Sequence, residues 1–361
     1  KVEKFPFIAI DTEFIWTNTY RPKLALIQIA ANRELYALID PLAITDKKAL
    51  QKLLSSKKTV KIFHEAASDL PILYRYCNGV IPEAIFDTRI AAAFCNLGLS
   101  CSLKKLIDNF LQIQLENSET RSNWLQRPLT EKQKQYAIED VIYLPEIAEK
   151  LQELLKKYAN QDYFNDEMKS FSKTEYYQEN HAEETWAKMQ NSSNLTSDGL
   201  TALKKLIFWR EEKAEKLDKP RPFILKDAQI VEICQNLPDN LQSLKAATKL
   251  WHSQVKKYGA DILTIIKDAK ENSHKEKQKN PKMLIPLGEF RNRVKRLQGL
   301  IRKKSQPKGI DPVLLAPRKT VQSLVVAAED RSWQKHPIMK GWRKEFILEH
   351  CKEVLQSNFQ G

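Results

Sequence analysis

No apolar run in this 361-residue sequence reaches the ~18 residues that a membrane-spanning helix requires, so no membrane partner is expected. The start shows no secretory pattern. Entry into a strand soon after Lys1 is what a chain preceded by a further short segment would show. The closing Asn-Phe-Gln-Gly is set aside as uninformative. Cysteine is scarce too. Cys77, Cys95, Cys101, Cys234 and Cys351 are odd in number, scattered and without metal-type spacing. That argues against a disulfide framework or a cysteine metal site and predicts reduced thiols in a cytoplasmic protein. What is present is enough for real cores: 42% hydrophobic residues excludes a disordered polymer. The length suggests about two or three domains.

Negative charge is short in one half only. Residues 1–200 hold 25 Lys+Arg against 27 Asp+Glu, hence −2, and residues 201–361 hold the remaining 34 against 18, hence +16. The whole excess of +14 lies in the second half. So basic a region repels itself, which points to a polyanionic partner; a soluble lysine-rich surface is the plain alternative.

Residues 6–40 read as a β-meander, with β-rich runs "FIAIDTEF", "LALIQIAA" and "ELYALID" between polar turns. Gln28, in the second run, would satisfy a polar group at a sheet edge. "DKKALQKLLSS" reads as an amphipathic helix and "TVKIFHEA" as another strand. "SDLPILYRYC" predicts a helix with Pro71 in its first turn, where a missing N–H costs little. "AIFDTRIAAAFC" predicts a strand entering a helix capped by Asp87, and Thr130 caps a long helix from "LTEKQKQYAIED" to "ELLKKY". Strands first, then strands alternating with helices, predict a mixed sheet with helices on its faces. Strand signals fade after about residue 162. The polar stretch 191–199 and the charged stretch 270–282 predict linkers between all-α blocks.

Two acids interrupt the first strand. Side chains at i and i+2 of a strand share a face, so Asp11 and Glu13 sit side by side. Two such carboxylates near a core are costly unless something positive lies between them. A divalent cation with oxygen ligands, Mg²⁺ or Mn²⁺, meets that need. Alone, the pattern reads equally as a strand end emerging into solvent. Tyr136 and Asp140, one helical turn apart, project together; alone they are an exposed acid beside a half-buried ring. Asp69, after "FHEAAS", is alone a helix cap.

Taken in order, these signals resemble the DEDD exonuclease superfamily, in the branch with tyrosine in its third motif. "AIDTEFIWTNTYRPKLALIQIA", "LIDPLAITD", "FHEAASDLPIL", "IFDTRIAAAF" and "YAIEDVIYLPEI" resemble ribonuclease D over roughly residues 5–155. The helical remainder, above all "LTALKKLIFWREEKAEKLDKPRPFIL", is similar to the HRDC (helicase and ribonuclease D C-terminal) domains of that family. The resemblance implies a ribonuclease H-like α/β exonuclease domain, a mixed five-stranded sheet with flanking helices, over residues 1–190. All-α HRDC-like helical domains would follow over 195–272 and 280–357.

The implied activity is 3′→5′ hydrolysis of RNA with a free 3′ end, tRNA precursors among them, releasing 5′-mononucleotides. Asp11, Glu13, Asp69 and Asp140 would hold two divalent metal ions, and Tyr136 would orient the attacking water. Four carboxylates and two dications balance in charge before the substrate phosphate arrives, and such a pair stabilises both attacking and leaving oxygens. His64 and Phe14 would touch the terminal nucleotide; a hydrogen-bonded structural role and core packing are their respective alternatives. Arg121 and Trp124 would meet phosphate and base. Arg291, Arg293 and Arg296, in the basic stretch 289–308, would hold RNA, though those cations cannot all share one helix face. A monomer is expected. The competing readings are a DNA-directed 3′→5′ exonuclease and a non-catalytic RNA-binding scaffold; all four acids and the tyrosine being present argues against the second.

Overall fold

The computed structural model describes residues 5–115, 119, 122–190, 195–272, 286–329 and 332–355. Five strands, β1 (Phe7–Ile15), β2 (Lys23–Ala30), β3 (Tyr36–Ile39), β4 (Val60–Phe63) and β5 (Ile85–Asp87), form one sheet in the order β3-β2-β1-β4-β5. β4 is parallel to both β1 and β5, while β3 runs antiparallel to β2, so the sheet is mixed. The short-range pairing of β2 with β3 needs only a turn. The parallel pairings need crossovers, which the helices supply.

β1 shows how the sheet positions chemistry. Ile8, Ala9 and Ile10 are buried in succession because helices cover both faces. From Asp11 onward the strand outruns that cover. Asp11 and Glu13 become half-buried while Thr12 between them stays buried.

Several local expectations are refined. The helix after β4 starts at Ala66 rather than near Asp69, so Pro71 lies inside it, not in its first turn. A residue remote in sequence explains the early start. The Asp87 carboxylate accepts the Ala66 N–H at 2.7 Å and also caps its own helix through the N–H groups of Arg89 and Ile90. Asp69 therefore faces inward from the first turn and does not cap. The single long helix expected after Thr130 is two, Glu131–Ile142 and Leu144–Lys157, broken at Tyr143 just before Pro145. Thr130 caps the first of them with Gln133 in a reciprocal capping box. Gln28, expected to satisfy a sheet edge, lies instead on the interior strand β2, fully buried, with neither amide atom bonded among the described residues.

The chain divides into two units. The first contains Lys1–Ile15, Leu24–Tyr177 and Met283–Gly361, so the last helical block belongs to the same unit as the sheet. Its helices include Leu287–Ser305, Arg318–Glu329 and Arg343–Leu355. Trp342 stacks obliquely on Phe94 at 5.0 Å between ring centroids and donates to Glu167, which also holds Arg343. Backbone bonds join Asn96 to Gly309 and Asp311 to Ala93, each at 2.7 Å. Gly309 has φ +68°, and a Cβ there would come within 2.9 Å of the Tyr158 ring, so the close approach requires glycine. One apolar core runs through both stretches, from Ile8 and Phe63 to Leu297, Val325 and Ile347.

The second unit contains Trp16–Lys23 and Gln178–Lys282. Helices Ser197–Lys216, Asp227–Asn236 and His252–Asn272 enclose a separate core of Leu203, Leu206, Ile207, Ile230, Ile233, Ile262 and Ile266. Thr196 caps the first of these by accepting the Gly199 N–H. The predicted linker therefore ends before residue 196; its residues 191–194, and those of the second predicted linker beyond residue 272, lie outside the described residues. Among the described residues, no helix is long and apolar enough to cross a membrane.

Candidate active site

The open end of β1 gives onto a cleft of about 730 Å³. Asp11 and Glu13 enter from the strand. Asp69 reaches in from the helix Ala66–Tyr76, and Tyr136 and Asp140 from the helix Glu131–Ile142. The structure thus brings all five residues to one cavity from three elements. One carboxylate oxygen from each of Asp11, Glu13 and Asp140 lies within 4.8 Å of the others. Thr12, on the opposite side of the strand from its neighbours, donates its hydroxyl proton to Asp69 at 2.5 Å. Tyr136 and Asp140, one helical turn apart, line the cavity together, as the i, i+4 spacing predicted.

The electrostatics record how uncomfortable this gathering is. Asp11 is held well above the ordinary carboxylate range, first by burial and then by Asp69, Asp140 and Glu13. Burial, with Asp140 and Asp69, pushes Glu13 up to about 9. Burial likewise lifts Asp69 to about 7 against the Thr12 hydrogen bond, and Asp140 to about 7 against the Tyr136 hydrogen bond. Without counter-charge the cluster keeps protons at neutral pH. All the donors are carboxylate oxygens, the set that suits a hard divalent cation. The residues present therefore fit the ions that the sequence implied.

His64 and Phe14 also line the cleft. His64 is fixed by a 2.9 Å bond between Nδ1 and the Thr88 hydroxyl, and burial beside Arg89 lowers its pKa to about 4. It is a neutral imidazole at physiological pH. Phe14 is half-exposed at the cleft and so is not a core residue.

Trp124 requires correction. Expected to meet a base, it is 1% exposed and packs with Ala25, Leu26 and Ala137 and against Tyr136, 6.1 Å between ring centroids. Its indole supports the tyrosine from behind and cannot reach a substrate. Arg121 lies outside the described residues. Arg291, Arg293 and Arg296 stand on the helix Leu287–Ser305, away from the cleft lining. Arg293 is largely covered and pairs with Glu289 one turn back, so it is not an open phosphate contact. Arg291 and Arg296 are exposed. At 100° per residue Arg291, Lys295 and Arg302 form one row, and Arg296 and Lys303 another.

Sequence reasoning missed Glu65, Arg89 and Lys104 in the cleft wall. Arg89 donates to Leu99 O at 2.7 Å and forms an ion pair with Glu65, which sits at φ 75°. A left-handed glutamate directly after His64 has no local motif. Only the fold, which turns the chain sharply between β4 and its helix, reveals it.

The comparisons with known proteins agree with this geometry. The 3′-5′ exonuclease family matches residues 1–156, and the HRDC domain family matches residues 200–266. The chain is 33% identical over 351 residues to ribonuclease D of Desulfotalea psychrophila, covering 96% of this chain and 92% of that one. The chain belongs to the ribonuclease D family. Ribonuclease D of Escherichia coli is 31% identical over 362 residues, covering 98% of this chain and 94% of the other. The crystal structure of the E. coli RNase D superposes with a TM-score of 0.87, covering 99% of this chain and 95% of that one at 29% identity. The chain is accordingly a 3′-5′ exoribonuclease with RNA as its substrate class. In an exonuclease of this fold, the acidic group implies divalent metal ions.

Proposed function

We propose that this ribonuclease D relative removes nucleotides one at a time from the 3′ ends of tRNA precursors and other small structured RNAs, acting as a monomer and releasing 5′-mononucleotides. The observation that carries the proposal is the convergence of the Asp11, Glu13 and Asp140 oxygens within 4.8 Å, in a cleft that Asp69 and Tyr136 also line. The E. coli relative is described as an exoribonuclease involved in structured RNA processing, which supports the choice of substrate.

In this reading Asp11, Glu13, Asp69 and Asp140 hold two divalent cations, Mg²⁺ or Mn²⁺. Held by these four carboxylates, the ions would offset their charge and would supply stabilisation of the negative charge that develops on the attacking and leaving oxygens. The chain's own residues supply position. Thr12 fixes the Asp69 carboxylate through its hydroxyl. Burial and the neighbouring acids push the Tyr136 pKa upward, so its phenol stays protonated and orients the water by hydrogen bonding rather than acting as a base. Water adds to the phosphorus of the last phosphodiester and gives up a proton to solvent, the bond to the preceding 3′ oxygen breaks, and that oxygen leaves with a proton taken from solvent. His64, neutral and tethered to Thr88, borders the terminal nucleotide without adding charge, and Phe14 offers it an apolar surface.

The test uses RNA and DNA strands labelled at either end, with Mg²⁺, Mn²⁺ or chelator. Release of labelled mononucleotide first from 3′-labelled RNA, abolished by chelator, is expected. Preference for DNA would establish the DNA-directed alternative, and binding without cleavage in either metal would establish the scaffold.

A further inference from the structure

The acids of the cleft come from β1 and two helices, and the positive charge beside them comes from elsewhere. Arg89 and Lys104 are the cations among the lining residues, and they are not equivalent. Arg89 is already engaged: it pairs with Glu65 and donates to Leu99 O at 2.7 Å. Lys104 is exposed and, among the described residues, its ammonium has neither an ion pair nor a hydrogen bond.

Lys104 stands in the first turn of the helix Leu103–Leu111, a fourth element beside the three that supply the acids. That turn holds no acid to neutralise it. Ser102 caps the helix by accepting the Lys105 N–H at 3.3 Å, which leaves its hydroxyl proton free to donate. Ser100 and Ser102 line the cleft beside Lys104. The helix start adds positive potential of its own. A polyanion entering a cleft with six acids in its wall therefore meets one uncommitted cation, with hydroxyl donors next to it.

The chemistry of the substrate decides which phosphate that cation meets. In RNA ending in a 3′ hydroxyl, the terminal nucleoside carries no phosphate beyond the one at the scissile bond, and that one belongs with the ions held by the acids. A second phosphate in the cleft is then the one on the 5′ side of the penultimate nucleotide. We propose that Lys104 binds this upstream phosphate and so fixes how the strand lies when its last bond is at the acids. A lysine reads charge and not base, so the contact is the same for every sequence. It makes a dinucleotide without a 5′ phosphate a poorer substrate than one that carries it. The inference rests on the exonuclease reading of the acid cluster.

The test compares pUpU with UpU, which differ only in that phosphate, on the full chain. Hydrolysis is followed in Mn²⁺ and equilibrium binding in Ca²⁺, another cation that takes oxygen ligands. The wild type should favour pUpU ~5-fold in both KM and Kd, the upper end for an ion pair in solvent, at equal kcat. K104Q should abolish the preference and K104E should reverse it, while K104R keeps it. On a 12-nucleotide oligouridylate, K104Q should also lower the log–log salt slope by ~0.7, one phosphate contact on a single strand. A K104Q chain that keeps the wild-type preference, even with both substrates slowed alike, overturns the contact, because the lysine then acts at the scissile phosphate or on the fold. A wild type indifferent to the 5′ phosphate that still cleaves RNA overturns the contact and leaves the activity standing. A preference that depends on Lys104 in binding, from a chain that cleaves no RNA in Mn²⁺, supports the contact and overturns the reading of the acids.

Discussion

The cleft at the end of β1 and the cavity beside Trp251 differ most in the charge that lines them. Six acids face the first, Asp11, Glu13, Glu65, Asp69, Glu139 and Asp140, with Arg89 and Lys104 the cations among its lining residues. Three lysines and no acid face the second. A site that must gather carboxylates to hold metal ions repels the polyanion it acts on until those ions arrive. A basic lining, by contrast, favours an anion by charge alone, without the geometry that chemistry demands. The contrast is one of charge: a lining rich in carboxylates suits metal ions, and a lining of lysines without an acid suits an anion.

The sharpest way to break that contrast is to remove an acid. Asp140→Asn should lower single-turnover hydrolysis roughly 10⁴-fold, the scale for losing one member of a group that acts as a unit. Oligonucleotide affinity in chelator should not change. Loss of binding in parallel with cleavage would mean that the two functions share a site.

Trp342→Ala tests a different boundary, the one within the basic half. Trp342 is buried against Phe94 in the first unit, so truncation should cost ~3–5 kcal/mol of stability. Denaturant unfolding should show the first unit melting early while the second, built on its own core, persists. A variant of wild-type stability would show that the last block is not part of the nuclease core.

Tyr136→Phe removes a hydroxyl and nothing else. Turnover should fall ~100-fold, the low end for a positioned proton-handling group, while calorimetric Mn²⁺ binding stays intact. Loss of the metal would reassign the tyrosine to metal binding.

The acid cluster also makes a pH signature that the basic cavity lacks. Glu13 titrates at about 9 and Asp69 and Asp140 at about 7 in the folded chain, all above their unfolded values near 4. The folded state therefore holds more protons between those limits, and stability must fall as pH rises from about 4 towards 9. In chelator the melting temperature should decline across that window, and saturating Mn²⁺ should flatten the decline by favouring the ionised forms. Asp11→Asn should flatten it partly without metal. A metal-free chain whose melting temperature rises over the same range would contradict the clustering.

The smallest effect is expected on the helix Leu287–Ser305. Arg291→Gln and Arg296→Gln should each weaken RNA binding only a few-fold and lower the salt slope by ~0.7 for each phosphate no longer neutralised. Arg293→Gln should act on stability through its pair with Glu289 and leave the slope unchanged.

Much of the site was legible in the residues alone. Asp11 and Glu13 follow from strand periodicity, and Tyr136 and Asp140 from helix periodicity, because both pairs are local. Asp69 was visible through the family resemblance, but its surroundings were not. Its bond to Thr12 spans 57 positions, and its release from capping depends on Asp87, which caps the Ala66 helix from 21 positions away. Trp124 was misread because an aromatic in a polar loop looks exposed until the sheet that buries it is in place. Glu65 and Lys104 carry no local pattern and could not have been found.

Sequence alone settled the identity of the acids, their order along the chain, the mixed sheet and the concentration of positive charge in the second half. These depend on residue type and short periodic spacing, which the backbone geometry of strands and helices converts directly into shared faces. Tertiary structure alone decided which side chains share a cavity, which arginines are already paired, and that the last helices complete the nuclease core while Trp251 stays in solvent. Those outcomes depend on distant segments meeting in space, which happens only once the chain has folded.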